Sequence, residues 1–174
     1  MNLNEVILVD INDNQIGTIE KIEAHKKGLL HRAISVFICN SKGEWLLQRR
    51  SFEKYHSSGL WTNTCCTHPS PAESNIDAAN RRLFEEMGIK CQLIELFSFT
   101  YKEKLENELT EYEFDHVFFG TTNQIPDFNI DEVQEWKYVS YTELLADIVN
   151  NSENYTIWFK KIFEKVNLYI ANLK

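Results

Sequence analysis

The first half of the chain alternates short apolar runs with polar turn residues, a pattern typical of β-hairpins. The runs "EVILVD" (residues 5–10) and "QIGTIEK" (15–21) flank the polar turn "NDNQ". The runs "RAISVFICN" (32–40) and "EWLLQRR" (44–50) flank the turn "SKG". Because short apolar runs bounded by turn-forming residues are typical of paired strands, the pattern predicts two β-hairpins.

A helical pattern occupies residues 74–87, "SNIDAANRRLFEEM". Its apolar residues recur at four-residue spacing, at Ala79, Leu83 and Met87. Ser74 is suited to cap the amino end, because its hydroxyl can accept a hydrogen bond from an amide of the first turn. Gly88 follows where a helix commonly ends. We therefore predict a helix that ends at Gly88.

Strand-like runs return after this helix, and helical spacing closes the chain. The runs are "CQLIELFSFTY" (91–101), "EYEFDHVFFG" (111–120) and "EVQEWKYVS" (132–140), with the charged segment "KEKLENELT" (102–110) as a long connection between the first two. From Tyr141 the apolar residues have mixed three- and four-residue spacing, which predicts two closing helices. We predict a single α+β domain over residues 1–174, with a mixed β-sheet body and flanking helices.

Composition narrows the class of protein. With 174 residues and 43% hydrophobic content, the chain can bury a core without disulfides. Its amino-terminal segment lacks the features of a signal peptide, and no apolar run is long enough for a membrane span. Its four cysteines do not have the spacing of a disulfide framework. These features predict a cytoplasmic protein with free thiols. A net charge of −8 without a basic stripe argues against nucleic-acid binding, but a small anion could bind where a few cations converge.

Two segments carry candidate chemistry. The segment "WTNTCCTHPS" (61–70) places two cysteines and a histidine close together, which combines a soft nucleophile with a metal-ligand side chain. In "LTEYEFDHVFFG", strand alternation puts Glu111, Glu113 and Asp115 on one face. A solvent-facing edge strand would give the same alternation, so each segment alone is open to both interpretations.

Residues 67–89 read T-x5-E-x7-R-R-L-x-E-E-x-G-I, which resembles the Nudix box G-x5-E-x7-R-E-U-x-E-E-x-G-U. On a helix Arg82 and Glu86 share a face, an arrangement suited to a diphosphate bridged by Mg²⁺. A solvated helix surface with paired charges is the alternative. Two positions depart from the box: Thr67 replaces its Gly, and Arg82 replaces the Glu that helps to activate water in Nudix hydrolases. The second departure weakens a hydrolase interpretation.

Taken together, the motifs resemble type I isopentenyl-diphosphate isomerases, Nudix-fold enzymes that interconvert isopentenyl and dimethylallyl diphosphate. The resemblance covers nearly the whole chain. It rests on "EKIEAH", "WTNTCCTHP", the altered box "ESNIDAANRRLFEEMG", Tyr101 ten residues before Glu111, the "EYE" pair and "YTIWFKK". It implies a small-molecule diphosphate substrate, no nucleic-acid or membrane partner, and either a monomer or a homodimer.

The resemblance also implies two metal sites. A Zn²⁺ or Mn²⁺ ion, or Mg²⁺, would occupy a His₃Glu₂ site made of His25, His31, His68, Glu111 and Glu113. Mixed imidazole and carboxylate ligands suit a borderline transition metal. Glu86 would hold the Mg²⁺ that accompanies the substrate diphosphate. The basic contacts to that diphosphate would be Lys21, Arg50, Lys54 and Arg82.

In the same terms, Cys66 is the catalytic thiol, Glu113 the acid-base carboxylate and Tyr101 its hydroxyl helper. Cations next to Cys66 would lower the pKa of its thiol and make a thiolate available at neutral pH. Trp158 would offer an aromatic face to the carbocation, with Trp61 as the rival. Cys65 would point away from the cavity and pack in the core.

Two other functions stay open at this point. A Nudix pyrophosphohydrolase would share the box and the diphosphate chemistry. A non-catalytic, zinc-stabilised binding module would use the same histidines and glutamates as structural ligands.

Overall fold

The central strand of the fold is His31–Cys39, and the other elements assemble around it. The computed structural model describes residues 4–173; of the predicted domain, residues 1–3 and 174 lie outside the described part. The described strands are β1 Glu5–Val9, β2 Gln15–Glu20, β3 His31–Cys39, β4 Trp45–Arg50, β5 Trp61–Thr62, β6 Cys65–Thr67, β7 Leu93–Lys104, β8 Thr110–Thr121 and β9 Val133–Val139. The helices are α1 Lys21–Lys27, α2 Asn75–Met87, α3 Tyr141–Asn150 and α4 Ile157–Ala171, with a short 3₁₀ turn at Ser152–Asn154.

The strands of residues 4–173 form one mixed sheet of nine strands. β3 pairs in parallel with β8 along its length, from His31 opposite Glu113 to Cys39 opposite Thr121. It also pairs antiparallel with β6, where Ser35 lies opposite Cys66. This register brings the histidine, cysteine and carboxylate motifs of three distant segments to adjacent strands.

Helices cover both faces of the sheet, which explains why β3 is apolar on both sides. Side chains of one face, including Phe37 and Val117, pack against α3 and α4. Side chains of the other face, including Ile34 and Ile38, pack against α2. The predicted α+β architecture, a mixed sheet body with flanking helices, is therefore confirmed.

The predicted helix forms as expected. Ser74 Oγ accepts a hydrogen bond from the Asp77 amide at 3.2 Å, and this caps the amino end of α2. Gly88 ends the helix with φ +66°, and a Cβ atom there would lie 2.5 Å from the Asp127 carbonyl oxygen. Only glycine fits this close approach.

One local prediction needs correction, one is confirmed in shortened form, and one helix was missed. The segment 102–110 is not a long connection: β7 extends to Lys104, β8 begins at Thr110 opposite it, and only residues 105–109 form the turn between them. The predicted hairpin of β3 and β4 forms, but with only two paired positions, since β6 takes the place of β4 along β3. Helix α1 was not predicted, because seven residues are too short to show a helical period. No helix in residues 4–173 is long and apolar enough to cross a bilayer.

Candidate active site

A cavity of about 320 Å³ opens at the end of the sheet where β3, β6 and β8 meet α2. It collects most of the residues that the sequence singled out. The predicted residues that line it are Lys21, Arg50, Lys54, Cys66, His68, Arg82, Glu86, Tyr101, Glu111, Glu113 and Trp158. The remaining two, His25 and His31, are fully buried and contact the ring of His68.

Four of the five proposed metal ligands converge. The candidate ligand atoms of His25, His31, His68 and Glu113 all lie within 4.8 Å of one another. His25 comes from α1, His31 begins β3, and the pairing of β3 with β8 sets His31 opposite Glu113. His68 follows β6, and its Nε2 lies 3.0 Å from Glu113 Oε1.

The imidazoles of His25 and His31 are oriented as metal ligands. His25 Nδ1 lies 2.7 Å from the Lys21 carbonyl oxygen, and His31 Nδ1 lies 2.8 Å from that of Leu29. Because a carbonyl oxygen can only accept, each Nδ1 carries a hydrogen, which leaves Nε2 as the ring atom that can bind a metal. Both Nε2 atoms are buried and lack a hydrogen-bond partner among the described residues. The donor set therefore fits a divalent metal ion.

Burial keeps two of these imidazoles neutral, the form that binds a metal. Burial is the main cause that lowers the pKa of His25, and the nearby His31 adds to it. For His68, burial outweighs the opposing influence of Glu113 and lowers the pKa to about 3.

Glu111, the fifth proposed ligand, belongs to a second group. Its carboxylate lies with His25 and His56, again with ligand atoms within 4.8 Å of one another. The Tyr101 hydroxyl links the two glutamates, 2.6 Å from Glu113 Oε2 and 3.0 Å from Glu111 Oε2. As strand alternation predicts, both glutamates and Asp115 share one buried face of β8. The alternative of a solvent-facing edge is wrong.

The two glutamates have opposite pKa shifts. Burial, followed by the charge of Glu113, raises the pKa of Glu111 well above its usual range. Burial also opposes the charged form of Glu113, but the neighbouring imidazoles of His31 and His68 outweigh it and hold the pKa of Glu113 well below that range. The opposite shifts favour a state in which the two carboxyl groups share one proton.

Cys66 lies in a different environment from the one expected. Its Sγ lies 3.2 Å from Asn63 Oδ1 and 3.8 Å from Ser35 Oγ, and Ser35 in turn donates to Asp115 Oδ2 at 2.7 Å. Burial, followed by the charge of Asp115, raises the pKa of the Cys66 thiol to about 12. The expected lowered pKa is therefore wrong for this environment, because burial outweighs the nearby Arg50 charge. As expected, Cys65 packs in the core under α2.

The four cations predicted for a diphosphate site all line the cavity, and Arg81 lines it as well. The predicted four are Lys21, Arg50, Lys54 and Arg82. Burial, together with the charges of Lys54 and Arg82, lowers the pKa of Lys21. The positive charges of these side chains therefore act on one another within the cavity.

Two carboxylates partly balance these cations. Glu86 contacts Arg82 through Oε1 and accepts from Gln48 Nε2 at 2.6 Å. Glu132 bridges Lys54 and Arg82, with Arg82 Nη2 at 3.1 Å. Glu85, beside them on α2, is paired with the arginines, so the solvated-surface interpretation of the box applies to Glu85 rather than to the buried Glu86.

Of the two candidate tryptophans, Trp158 lines the cavity. It lies in the first turn of α4, and the Arg50 guanidinium lies 5.3 Å from the centre of its ring. Trp61 lies outside the residues that line the cavity and has Lys137 Nζ 4.3 Å from its ring centre.

Sequence reasoning missed several residues of this site. Among them are Ser35 and Asn63 beside Cys66, His56 beside His25, and Glu132 between Lys54 and Arg82. His56 could have been suggested by its position two residues after Lys54, which is one of the predicted diphosphate contacts. Ser35 and Asn63 carried no such signal, since a hydroxyl or an amide alone has many structural uses.

The chain was compared with known proteins. It matches the NUDIX domain over residues 29–159. It is 50% identical over 169 residues to an isopentenyl-diphosphate Delta-isomerase of Pectobacterium atrosepticum, covering 97% of this chain and 94% of the relative. It is 51% identical over 157 residues to an isopentenyl-diphosphate Delta-isomerase 2 of Photorhabdus laumondii, covering 90% and 89%.

Solved structures share the fold. A crystal structure of a Deinococcus radiodurans protein has a TM-score of 0.70 at 21% identity, covering 84% of this chain and 90% of that one. A MutT protein from Methanosarcina mazei has a TM-score of 0.67 at 23% identity, covering 83% and 96%. At these identities the likeness shows the fold alone.

Proposed function

Because the chain belongs to the type I isopentenyl-diphosphate Delta-isomerases of the Nudix superfamily, we propose that Cys66 and Glu113 carry out its two proton transfers. The enzyme interconverts isopentenyl and dimethylallyl diphosphate. One proton adds to the terminal CH₂ of the alkene, and another leaves the carbon next to the CH₂O group. The observation that carries the proposal is that thiol, carboxylate and four cations line one cavity.

A pair that transfers two protons needs one group that carries a proton and one group that can accept one. The high pKa of Cys66 favours a thiol, and the low pKa of Glu113 favours a carboxylate. From this state the thiol gives a proton to dimethylallyl diphosphate and the carboxylate removes one from its methyl group. The reaction from isopentenyl to dimethylallyl diphosphate begins with the proton on Glu113 and a thiolate at Cys66. It ends with a thiol at Cys66 and a carboxylate at Glu113. Tyr101, in hydrogen-bond contact with both glutamates, would pass the proton between them.

The intermediate is a tertiary carbocation, which water would trap. Trp158 is buried and lines the cavity, and its ring already has the Arg50 guanidinium 5.3 Å from its centre, so it can face positive charge in this environment. A desolvated cation on a tryptophan face is stabilised by about 2 kcal/mol. We propose that Trp158 stabilises the intermediate.

We propose that His25, His31, His68, Glu111 and Glu113 hold a Zn²⁺ or Mn²⁺ ion, and that Glu86 holds a Mg²⁺ ion with the diphosphate. The orphaned Nε2 atoms of His25 and His31 support the first site. When bound, the metal would supply positive charge that orients the glutamates and tunes their acidity.

The hydrolase alternative has weaker support. Hydrolysis needs a base or metal-activated water at phosphorus, and Arg82 replaces the box glutamate at that place. Arg82 instead contacts Glu86 and Glu132. A buried thiol also has no evident part in phosphate hydrolysis.

Proton exchange with solvent tests the reaction. Isopentenyl diphosphate incubated with protein and Mg²⁺ in D₂O should give dimethylallyl diphosphate with deuterium in its methyl group, measured by proton NMR. This is expected because the added proton comes from an exchangeable side chain. Release of phosphate from a nucleotide panel without any allylic product would instead support the hydrolase.

Removal of one cation tests the diphosphate site. Lys54→Ala should raise KM for isopentenyl diphosphate about tenfold or more with a smaller effect on kcat, because Lys54 contacts the part of the substrate that does not react. Steady-state kinetics would measure this. Lys90→Ala, which removes a lysine outside the residues that line the cavity, is the control. An unchanged KM in Lys54→Ala would remove Lys54 from the site.

A further inference from the structure

His56 is a fourth imidazole beside the metal centre, in addition to the three that the motifs indicated. It follows β4 in the loop before β5 and is only 6% exposed. Its ring centre lies 6.0 Å from that of His25, and its Nε2 lies 3.9 Å from Glu111 Oε1. The candidate ligand atoms of His25, His56 and Glu111 lie within 4.8 Å of one another.

The two ligand groups share a single nitrogen lone pair. His25 belongs to both groups, and its Nδ1 is engaged by the Lys21 carbonyl oxygen. Only its Nε2 is therefore free to bind, and one lone pair binds one ion. The Nε2 atom is fully buried and lacks a hydrogen-bond partner among the described residues. The two groups are thus parts of one metal centre rather than two independent sites.

The surroundings hold the His56 ring in place. The ring packs edge-on against Tyr55 at 4.5 Å and against Trp158 at 5.9 Å between ring centres. The His56 carbonyl oxygen accepts a hydrogen bond from Arg50 Nη2 at 3.1 Å. An imidazole packed in this way loses little conformational freedom when it binds a metal, which favours ligation.

We propose that His56 is a further ligand of the metal centre, so that this chain offers four imidazoles and two carboxylates to one divalent transition-metal ion. The inference rests on the metal centre of the proposed function and extends its ligand set. With six donors from this chain around it, the ion would orient the glutamates rather than bind substrate directly. A fourth imidazole also favours Zn²⁺ over Mn²⁺, because nitrogen ligands suit the softer ion.

Metal affinity and ligand identity test this directly. The protein is stripped with a chelator and reloaded with Zn²⁺, and its affinity is measured by competition with a chromophoric chelator. His56→Phe should weaken Zn²⁺ binding by about 10–100-fold or more, since loss of even a supporting residue has an effect of that size. X-ray absorption of the Zn²⁺-loaded protein should count four imidazoles in the wild type and three in the variant.

The choice of phenylalanine separates ligation from packing. Phenylalanine keeps an aromatic ring against Trp158 but removes both nitrogens. If His56 only forms the wall of the cavity, His56→Phe will bind Zn²⁺ as tightly as the wild type, and the proposal is overturned. His56→Ala serves as a second variant should phenylalanine not fold, as judged by thermal unfolding of the metal-free proteins.

A matched control and the wild type complete the test. His116 is another buried histidine, held by Asp13 and Glu95 outside the metal centre, so His116→Phe should leave Zn²⁺ affinity unchanged. Tight Zn²⁺ binding by the wild type with three imidazoles would overturn only this inference. A wild type that binds no Zn²⁺ would overturn the metal centre of the proposed function as well. Deuterium exchange into substrate is measured separately, so the two proposals can fail independently.

Discussion

Replacing Cys66 with alanine is expected to reduce isomerisation in both directions by about 10³-fold or more, the scale of a lost acid-base group. The thiol is one end of the proposed proton path, and alanine can neither hold nor accept a proton. The measurement is the initial rate of allylic product formation by NMR. Metal content should be unchanged, because Sγ contacts Asn63 and Ser35 rather than a proposed ligand.

The neighbouring cysteine is the matched control. Cys65 is fully buried in the core under α2, so Cys65→Ala should lower thermal stability slightly and leave turnover near the wild-type value. Near-normal turnover in Cys66→Ala would contradict the proposed mechanism. Equal loss in both variants would show that the effect comes from packing.

Replacing Glu113 with glutamine is expected to remove both activity and metal. The carboxylate contacts His68 Nε2 at 3.0 Å and the Tyr101 hydroxyl at 2.6 Å, so it is at once the other end of the proton path and a proposed ligand. An amide cannot accept the proton and is a poorer ligand. We expect turnover to fall by about 10³-fold or more, with Zn²⁺ content reduced in elemental analysis of the purified protein.

Tyr101→Phe separates the two roles of Glu113. It removes the hydroxyl that links the glutamates but no proposed ligand, so it should reduce turnover less than Glu113→Gln and leave metal content unchanged. If Glu113→Gln kept normal turnover and metal content, Glu113 would have neither role.

The two principal variants therefore have different signatures. Cys66→Ala loses activity with metal retained, and Glu113→Gln loses both. A protein in which the metal alone were catalytic would lose activity only with its metal, and Cys66→Ala would then stay active. Comparing the two variants thus tests the carbon chemistry apart from metal binding.

Much of the architecture was predictable from local patterns. The helix after Ser74 has its cap, its apolar spacing and its terminal glycine in fifteen consecutive residues, and no distant contact is needed to form it. Charged segments were harder: residues 102–104 look like part of a loop because this end of a paired strand carries charged side chains, although β7 runs to Lys104. Pairing with a neighbouring strand is invisible in the composition of either strand alone.

The candidate site, like the fold, was predictable only in part. The sequence by itself determined which residue types are present at motif spacing, and the family resemblance of these motifs implied that histidines, glutamates, a thiol and cations belong to one site. Only the tertiary structure decided that Cys66 is buried against Asn63 with a raised pKa, that Glu111 lies with His56, and that Glu132 bridges two cations. The physical reason is that desolvation and charge coupling depend on distances between segments far apart in the chain, whereas spacing depends only on neighbours.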